Sequence, residues 1–269
     1  MEQSSTKFLR IILPIGWQDS KGDRMQSINL SEMTREEVRE RIAENALAIL
    51  PFGATEQHGD HLPLGTDTIL AEYICQNVAN QVNGVVLPAI PFGYSWVWTD
   101  NPGTISIHHH NLELFLEDVV KSVERSGFRG LAIINGHGSN ETTMKYVLRD
   151  FAGNSSFPVY RFTYPNLNQI RTNVCNSETW FSMVHACEFE TSLLLAVRSE
   201  LVAMDKLTKE YPPFDYDYLY GTKQLATISG SGVYGDATLA TIKKGRVMLD
   251  MFISEIVSAL NILENQKGN

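Results

Sequence analysis

Cysteine, long apolar runs and positive charge are all scarce in this sequence. The 269 residues include three cysteines, an odd number, and none of them has C-x-x-C spacing. The pattern is not that of a small secreted domain held together by disulfides. Reduced thiols are the simplest interpretation, and we therefore expect a cytoplasmic protein.

The apolar runs are too short for a membrane protein. None approaches the roughly 18 residues of a membrane-spanning helix. The segment IILP at 11–14 is too short for the hydrophobic region of a signal peptide and ends in proline. The formal net charge is −9. An acidic chain of this kind is not expected to bind nucleic acid or an anionic membrane surface.

Two common catalytic motifs are also missing. The sequence contains no G-x-S-x-G and no G-x-x-x-x-G-K-[ST], so neither a serine hydrolase nor a P-loop enzyme is indicated. Residues 230–235 read GSGVYG and match G-x-G-x-x-G. A dinucleotide site needs a βαβ unit around that motif, whereas here one long predicted helix follows and no strand returns. We therefore favour a glycine-rich loop lining an active site over a nicotinamide-dependent dehydrogenase.

The composition is that of a globular protein, with 43% hydrophobic and 20% charged residues. The length fits one large domain over residues 1–269, with an irregular segment at about 1–30 that includes a short strand at 8–13. Apolar runs predict four further strands, at 46–50, 85–87, 131–134 and 159–162. Helices are predicted from a capping box at Thr34 to about Glu44, from Asp67 onward, from an Asn111 cap to Gly127, over 190–198 and over about 238–263. Because strands and helices alternate, the fold class is α/β with a mostly parallel sheet.

The most informative segment follows the first of these four strands. Residues 55–67 read TEQHGDHLPLGTD, so two of the seven histidines lie among carboxylates in a loop rich in glycine and proline. Open α/β sheets place their chemistry at the carboxyl ends of their strands. Glu, His and Asp are together the ligands of hydrolytic divalent metal sites, which makes this loop the first candidate site.

Three segments could together supply a metal centre. Glu56 and His58 are two residues apart, so both side chains lie on the same side of an extended segment. Asp67 is at a helix start, where it could bridge two ions, and His137 lies between glycines at the end of another strand. The segment HACEFET adds His185 and further carboxylates. Each histidine alone could have an ordinary structural role. Three segments that each bring a histidine beside a glycine or a carboxylate could equally form a metal centre, and the chemistry of the residues alone leaves both interpretations open.

In these segments the chain resembles the creatininase (creatinine amidohydrolase) family. The resemblance rests on EQHGDHLPLGTD at 56–67, NGHGSN at 135–140, HACEFET at 185–191 and GVYGD at 232–236, and it extends from about residue 30 to about residue 255. It implies a three-layer αβα sandwich, a site for two divalent ions (zinc or manganese, with iron as an alternative) and hydrolysis of non-peptide C–N bonds in cyclic amides or formamides. It also implies a homo-oligomer, expected to be a hexamer.

The resemblance implies a role for each matching residue. The implied metal ligands are Glu56, His58, Asp67, His137 and Glu190, with Asp67 bridging the two ions. His185 is the implied proton-transfer residue. Glu190 is assigned both to the metal site and to the catalytic residues.

The chain also departs from the creatininase pattern. Creatininases carry a glutamate two residues after the histidine of the Asn-Gly-His motif, and this chain has Ser139 there. Glu190 is the first candidate to replace that ligand, and Glu141 is the second. The Trp-Asp pair that creatininases place before their later histidine is replaced by Phe181-Ser182. The family also includes formamide deformylases of pyrimidine intermediates and a peptide-cleaving member, so the reaction class is better defined than the substrate.

Other chemically active side chains have simpler interpretations. The run HHH at 108–110 is expected to be partly exposed before a helix cap, since adjacent residues point in different directions. Tyr94, Trp96 and Trp98 could line a substrate pocket or a subunit interface, and the sequence does not decide between these. Cys187 is expected to pack in the core rather than to act as a nucleophile.

The sequence thus predicts a metal-dependent amidohydrolase. A hydroxide bridging two ions would attack an amide carbonyl, the ions would stabilise the oxyanion, and His185 would protonate the leaving nitrogen. The expected partner is a small-molecule amide. The alternative is a non-catalytic metal-binding protein on the same scaffold, with Ser139 marking the loss of the second ion.

Overall fold

The computed structural model describes residues 27–181, 183–213 and 215–265. The strand predicted at 8–13 lies outside these ranges, as does Ser182. Within them, the helices are α1 (Arg35–Ala43), α2 (Thr66–Ala79), α3 (His109–Ser126), α4 (Asn140–Ala152), α5 (Leu167–Val174), α6 (Glu188–Arg198), α7 (Tyr216–Tyr220) and α8 (Ile242–Asn265). The strands are β1 (Leu47–Phe52), β2 (Gly84–Val86), β3 (Leu131–Asn135), β4 (Val159–Phe162), β5 (Lys209–Glu210) and β6 (Gly235–Asp236).

The main sheet consists of four parallel strands in the order β2-β1-β3-β4. Its central strand β1 pairs with β2 on one side and with β3 on the other, so that Ile49 lies opposite both Val86 and Ala132. All six residues of β1 are buried. Because the strands are parallel, the loops after β1 and β3 leave the same edge of the sheet, and this places their polar residues together.

Helices cover both faces of this sheet. Alternate residues of β1 point to opposite faces, so that Ile49 belongs to one core and Leu50 to the other. The first core includes residues of α2, α5, α6 and α8, and the second includes residues of α3 and α4, with α1 packed against it. The fold is therefore the expected three-layer α/β sandwich with a mostly parallel sheet.

Local sequence signals account for several boundaries. The four strands predicted for the sheet are all present, within two residues of their expected ends. The capping box before α1 is formed, because the Thr34 side chain accepts from the Glu37 backbone N–H and the Glu37 carboxylate accepts from the Thr34 N–H. Gly127 ends α3 in the left-handed conformation, with φ of 93°.

Three helix starts differ from the prediction. The assignment of Asn111 as a cap was wrong, because α3 begins at His109 and His108 is its N-cap, with Nδ1 accepting from the His110 N–H. Helix α6 begins two residues earlier than expected, at Glu188, and α8 begins at Ile242, after a short 3-10 helix at Ala237–Leu239. Helices α4 and α5 were not predicted.

No helix in the described ranges combines the length and the apolar character that crossing a membrane requires. The three cysteines are all free thiols. That residues 1–269 form one domain stays a prediction from the sequence.

Candidate metal centre

The loop after β1, the start of α2 and the loop after β3 meet at one edge of the sheet. Glu56 and His58 come from the first loop, Asp67 from the first turn of α2 and His137 from the loop after β3. Gly136 allows this close approach, because a Cβ there would lie 2.2 Å from the backbone oxygen of Asp67. The fold thus brings together three segments that the sequence had only suggested as neighbours.

The predicted metal ligands form one buried cluster. The side chains form three overlapping groups, and within each group the potential ligand atoms lie within 4.8 Å of one another. These groups are Glu56 with Asp67 and His137, His58 with Asp67 and Glu190, and Glu56 with His58 and His185. None of these six residues is more than 6% exposed, so the cluster is closed to bulk water.

Asp67 lies between the two imidazoles that face it. Its Oδ1 is 3.1 Å from His58 Nε2, and its Oδ2 is 3.0 Å from His137 Nδ1. Neither His58 Nε2 nor Asp67 Oδ2 makes a well-aligned hydrogen bond, although both atoms are buried. Glu56 Oε2 is a third buried atom without a partner. A buried polar atom without a well-aligned hydrogen bond is costly. Several such atoms that point toward one place are what a cation site requires.

Backbone carbonyls orient both imidazoles. His58 Nδ1 lies 3.1 Å from the carbonyl oxygen of Glu56, and His137 Nε2 lies 2.9 Å from that of Tyr94. When a ring nitrogen donates to a carbonyl, the other nitrogen is directed inward, which is the usual arrangement of metal-ligating histidines. The donor set and its orientation therefore fit a divalent metal ion.

Burial and neighbouring charges shift the pKa values of the side chains in the cluster. Burial disfavours the charged imidazoles, but the nearby carboxylates outweigh it and raise the pKa of His58 to about 10 and that of His137 to about 9. Although burial opposes it, the two imidazolium charges hold the pKa of Asp67 well below its usual range. Burial raises the pKa of Glu56 above its ordinary value and that of Glu190 to about 7. The raised pKa values of Glu56 and Glu190 mean that their ionised forms are unfavourable here unless further positive charge is present.

Glu190 is the acidic residue that completes the cluster where Ser139 departs from the family pattern. It lies in the first turn of α6, where its Oε2 accepts from the Ala186 N–H at 2.5 Å and lies 3.9 Å from His58 Nε2. The other candidate, Glu141, forms an ion pair with Arg161 and accepts from the Thr163 hydroxyl. Only Glu190 of these two carboxylates belongs to the cluster.

His185 lies at the border of the cluster. Its Nδ1 is 3.8 Å from Glu56 Oε1, and its ring stacks on Trp98 with centroids 4.3 Å apart and an interplanar angle of 16°. Burial and the neighbouring charge of His58 keep the pKa of His185 well below its usual value, so its ring is neutral. Its Nε2 is 2.8 Å from Nε2 of Gln57.

The remaining candidates divide between the site and other parts of the molecule. Trp98 is buried against His185, whereas Trp96 is 47% exposed, so the aromatic loop lies partly in the site and partly on the surface.

Burial raises the pKa of Cys187 to about 12, as expected for a packed thiol. The run at 108–110 is exposed as predicted. Sequence reasoning overlooked Gln57, because its contacts with His185 and Gly232 join residues far apart in the chain.

Comparison with known proteins agrees with this arrangement. A family model described as creatinine amidohydrolase matches residues 31–260. Creatinine amidohydrolase from Pseudomonas putida is 28% identical over 255 residues, which are 87% of this chain and 96% of that protein. A mycofactocin precursor peptide peptidase from Mycobacterium ulcerans (strain Agy99) is 29% identical over 79% of this chain and 83% of its own length. A 3-dehydro-scyllo-inosose hydrolase from Thermotoga maritima is 27% identical over 83% of this chain and 79% of its own length.

Solved structures show the same likeness. A structure titled "Creatininase Mn" superposes with a TM-score of 0.77 at 27% identity, and it covers 87% of this chain and 97% of its own. A mutant creatininase of "Zn-Zn type" gives the same values. The matched segment includes every residue of the buried cluster. The chain therefore belongs to the creatinine amidohydrolase (creatininase) family.

Proposed function

We propose that this protein is a metal-dependent amidohydrolase that cleaves a C–N bond outside a peptide backbone. The observation that supports this most strongly is the position of Asp67, with one carboxylate oxygen facing His58 and the other facing His137. A carboxylate in this position can bridge two ions, and two-metal sites are typical of hydrolases. Membership of a family whose named relatives include hydrolases supports the same reaction class.

The proposed ligands form two sets that share Asp67. One set is Glu56, Asp67 and His137, and the other is His58, Asp67 and Glu190. Zinc and manganese are the proposed ions, because the creatininase structures include forms titled with each metal, and iron is an alternative. When bound, divalent ions lower the pKa of water and stabilise the negative charge that develops on a carbonyl oxygen.

The side chains of the cluster have separate proposed tasks. The carboxylates of Glu56 and Asp67 neutralise positive charge and fix the spacing of the two ligand sets. Glu190 completes the ligand set that contains His58, and the resemblance also places it among the catalytic residues. His185 lies on the Glu56 side, where it can contact the substrate amide. The resemblance implies proton transfer by His185.

The proposed substrate is a small cyclic amide or a formamide. Every ligand side chain is nearly fully buried, and Trp98 covers His185, so access favours a compact molecule over an extended chain. Peptide hydrolysis is the competing outcome, because some relatives are named peptide peptidases.

The test combines metal analysis with a substrate screen. Protein purified without added metal is analysed for metal before and after chelation, then reloaded with zinc or manganese. We expect close to two ions per chain and hydrolysis of at least one member of a panel containing creatinine, other cyclic amides, formamides and short peptides. Two ions with cleavage of peptides only would contradict the substrate class. A single ion or none, with no activity, would contradict the enzyme itself.

The alternative of a non-catalytic metal protein rests on Ser139. It requires a second ligand set that is incomplete. The closeness of Glu190 to His58 and Asp67 supports a complete second set, and it therefore favours the enzyme. We also propose that the protein is a homo-oligomer, a hexamer by family resemblance, and light scattering of the purified protein would measure its mass.

A further inference from the structure

The side-chain amide of Gln57 has only one orientation that satisfies its neighbours. Its Oε1 accepts from the Gly59 N–H at 2.9 Å, and its Nε2 donates to the Gly232 carbonyl at 3.1 Å. Reversing the amide would set N–H against N–H at Gly59 and oxygen against oxygen at Gly232. Both neighbours are backbone groups, so neither can change its role as donor or acceptor.

This orientation determines where the proton of His185 lies. An amide nitrogen has two hydrogens, and one of them is used by Gly232. The other faces His185 Nε2 at 2.8 Å, so that nitrogen must accept and carries no proton. An imidazole without a proton on Nε2 is neutral and carries its one proton on Nδ1, the nitrogen that faces Glu56 and the cluster.

Two further contacts hold His185 in this position. The Tyr234 N–H donates to the His185 carbonyl at 3.0 Å, and Trp98 stacks on the ring face. On the opposite side of Gln57, Gly232 has φ of 74°, and a Cβ there would lie 2.1 Å from Gln57 Oε1. The glycine therefore allows the loop to approach the amide closely.

Glu210 holds that loop in place. Its carboxylate accepts from the Ser229 hydroxyl at 2.8 Å, from the Gly230 N–H at 2.9 Å and from the Ser231 N–H at 2.9 Å, and the Ser231 hydroxyl also donates to it. These hydrogen bonds fix the residues immediately before Gly232. A continuous series of contacts therefore leads from Glu210 through the glycine-rich loop and Gln57 to His185.

We propose that Gln57 is a positioning residue that holds His185 as the neutral tautomer with its proton on Nδ1, so that His185 donates a hydrogen bond to the substrate and neither ligates metal nor accepts protons. The proposal rests on the proposed function for the identity of the reaction. Its structural part stands on the contacts of Gln57 alone. It differs from the proton-transfer role that family resemblance implies for His185.

Two chemical consequences follow from this tautomer. Nδ1 of His185 could bind a cation only if its proton moved to Nε2, where it would face the Gln57 N–H, so the group of Glu56, His58 and His185 is disfavoured as a metal site despite its close spacing. Divalent ions nearby would disfavour the imidazolium form further. A neutral imidazole can still stabilise a carbonyl oxygen through its N–H.

The test is nitrogen NMR of the zinc-loaded protein with ¹⁵N-labelled histidine rings. The His185 signals are identified by their loss in His185→Gln. We expect a protonated Nδ1 and an unprotonated Nε2 at neutral pH. An unprotonated Nδ1, or two protonated nitrogens, in the wild-type protein would overturn the proposal without reference to any variant or to activity.

Variants then test whether Gln57 is the cause. Gln57→Glu replaces the donor by an acceptor, so Nε2 should become protonated, and Gln57→Met should give a mixture of tautomers. Gly232→Ala should disturb the amide from the other side. The signal of His61, which contacts Thr191 instead, should not change. Retention of the wild-type tautomer in these variants would overturn the assignment to Gln57.

Activity gives a separate readout. On any amide that the wild-type protein hydrolyses, Gln57→Glu should lower kcat by about 100-fold, the typical cost of a lost donor to a developing oxyanion, with a much smaller change in KM. The exposed Gln81→Glu is the matched control and should leave both unchanged. A tautomer as expected with no hydrolysis of any amide would count against the proposed function and not against the role of Gln57.

Discussion

Strand β1 and the short polar segment 56–58 that follows it are both buried but opposite in chemistry. All six residues of β1 are apolar, and five of them belong to the two cores, whereas Glu56, Gln57 and His58 are buried within six residues of the strand end. Burial of an apolar side chain stabilises the fold, while burial of an unpaired polar atom destabilises it. The free energy gained by burying the strand therefore offsets the cost of burying the polar side chains of the loop. We expect bound metal ions to lower that cost.

The largest expected effect is the loss of the shared ligand. Asp67→Ala removes the carboxylate that faces both imidazoles, so both ligand sets lose a member. We expect loss of both ions and a fall in kcat/KM by about 10³-fold or more. Elemental analysis and the rate of amide hydrolysis measure these outcomes, and a variant that keeps two ions and full activity would contradict the bridging role.

A substitution in strand β1 should lower stability without changing metal binding. Ile49→Ala removes a fully buried side chain from the first core and should lower the free energy of unfolding by about 2–5 kcal/mol. The ligand loop is not altered, so the metal content of the folded protein should stay the same. Denaturant unfolding in the presence of chelator measures the first effect. Loss of metal without loss of stability would show that the two regions are not separable.

Glu190 tests the two ligand sets separately. Glu190→Gln alters only the set that contains His58, so we expect one ion to be lost and the other retained. Glu141→Gln is the matched control, because Glu141 pairs with Arg161 outside the cluster. If Glu141→Gln lost the ion and Glu190→Gln did not, the assignment of the replacement ligand would be wrong.

Metal binding should release protons from the cluster. The pKa values of about 10 for His58 and about 9 for His137 mean that both rings are protonated at neutral pH before metal binds. Each ring must lose its proton to serve as a ligand, and so must the protonated fraction of Glu190, whose pKa is about 7, so at least two protons should be released and affinity should rise with pH. Calorimetry of zinc binding in buffers of different ionisation enthalpy counts the protons, and binding without release would contradict these charge states.

The smallest expected effect lies farthest from the cluster. Glu210→Gln weakens the hydrogen bonds that hold the glycine-rich loop, and it should lower kcat by about five-fold, equivalent to roughly 1 kcal/mol. The exposed Glu200→Gln is the control. A loss of metal in Glu210→Gln would indicate a general disturbance of the fold rather than an effect transmitted through Gln57.

Sequence predicted the parts of this molecule that depend on neighbouring residues. The capping box before α1, the buried strands and the dense motif after β1 are all local patterns, and each is present in the structure. The sequence already ranked Glu190 before Glu141, but only the fold brings the start of α6 beside His58. The role of Gln57 depended on partners 128 and 175 residues away, and no local pattern contains that information.

The central claim is that Asp67 bridges two ions, and anomalous X-ray diffraction from crystals of the zinc-loaded protein tests it most directly. The account predicts two anomalous peaks, one on each side of the Asp67 carboxylate, the first near Glu56 and His137 and the second near His58 and Glu190. A single peak, or ions bound away from Asp67, would contradict it.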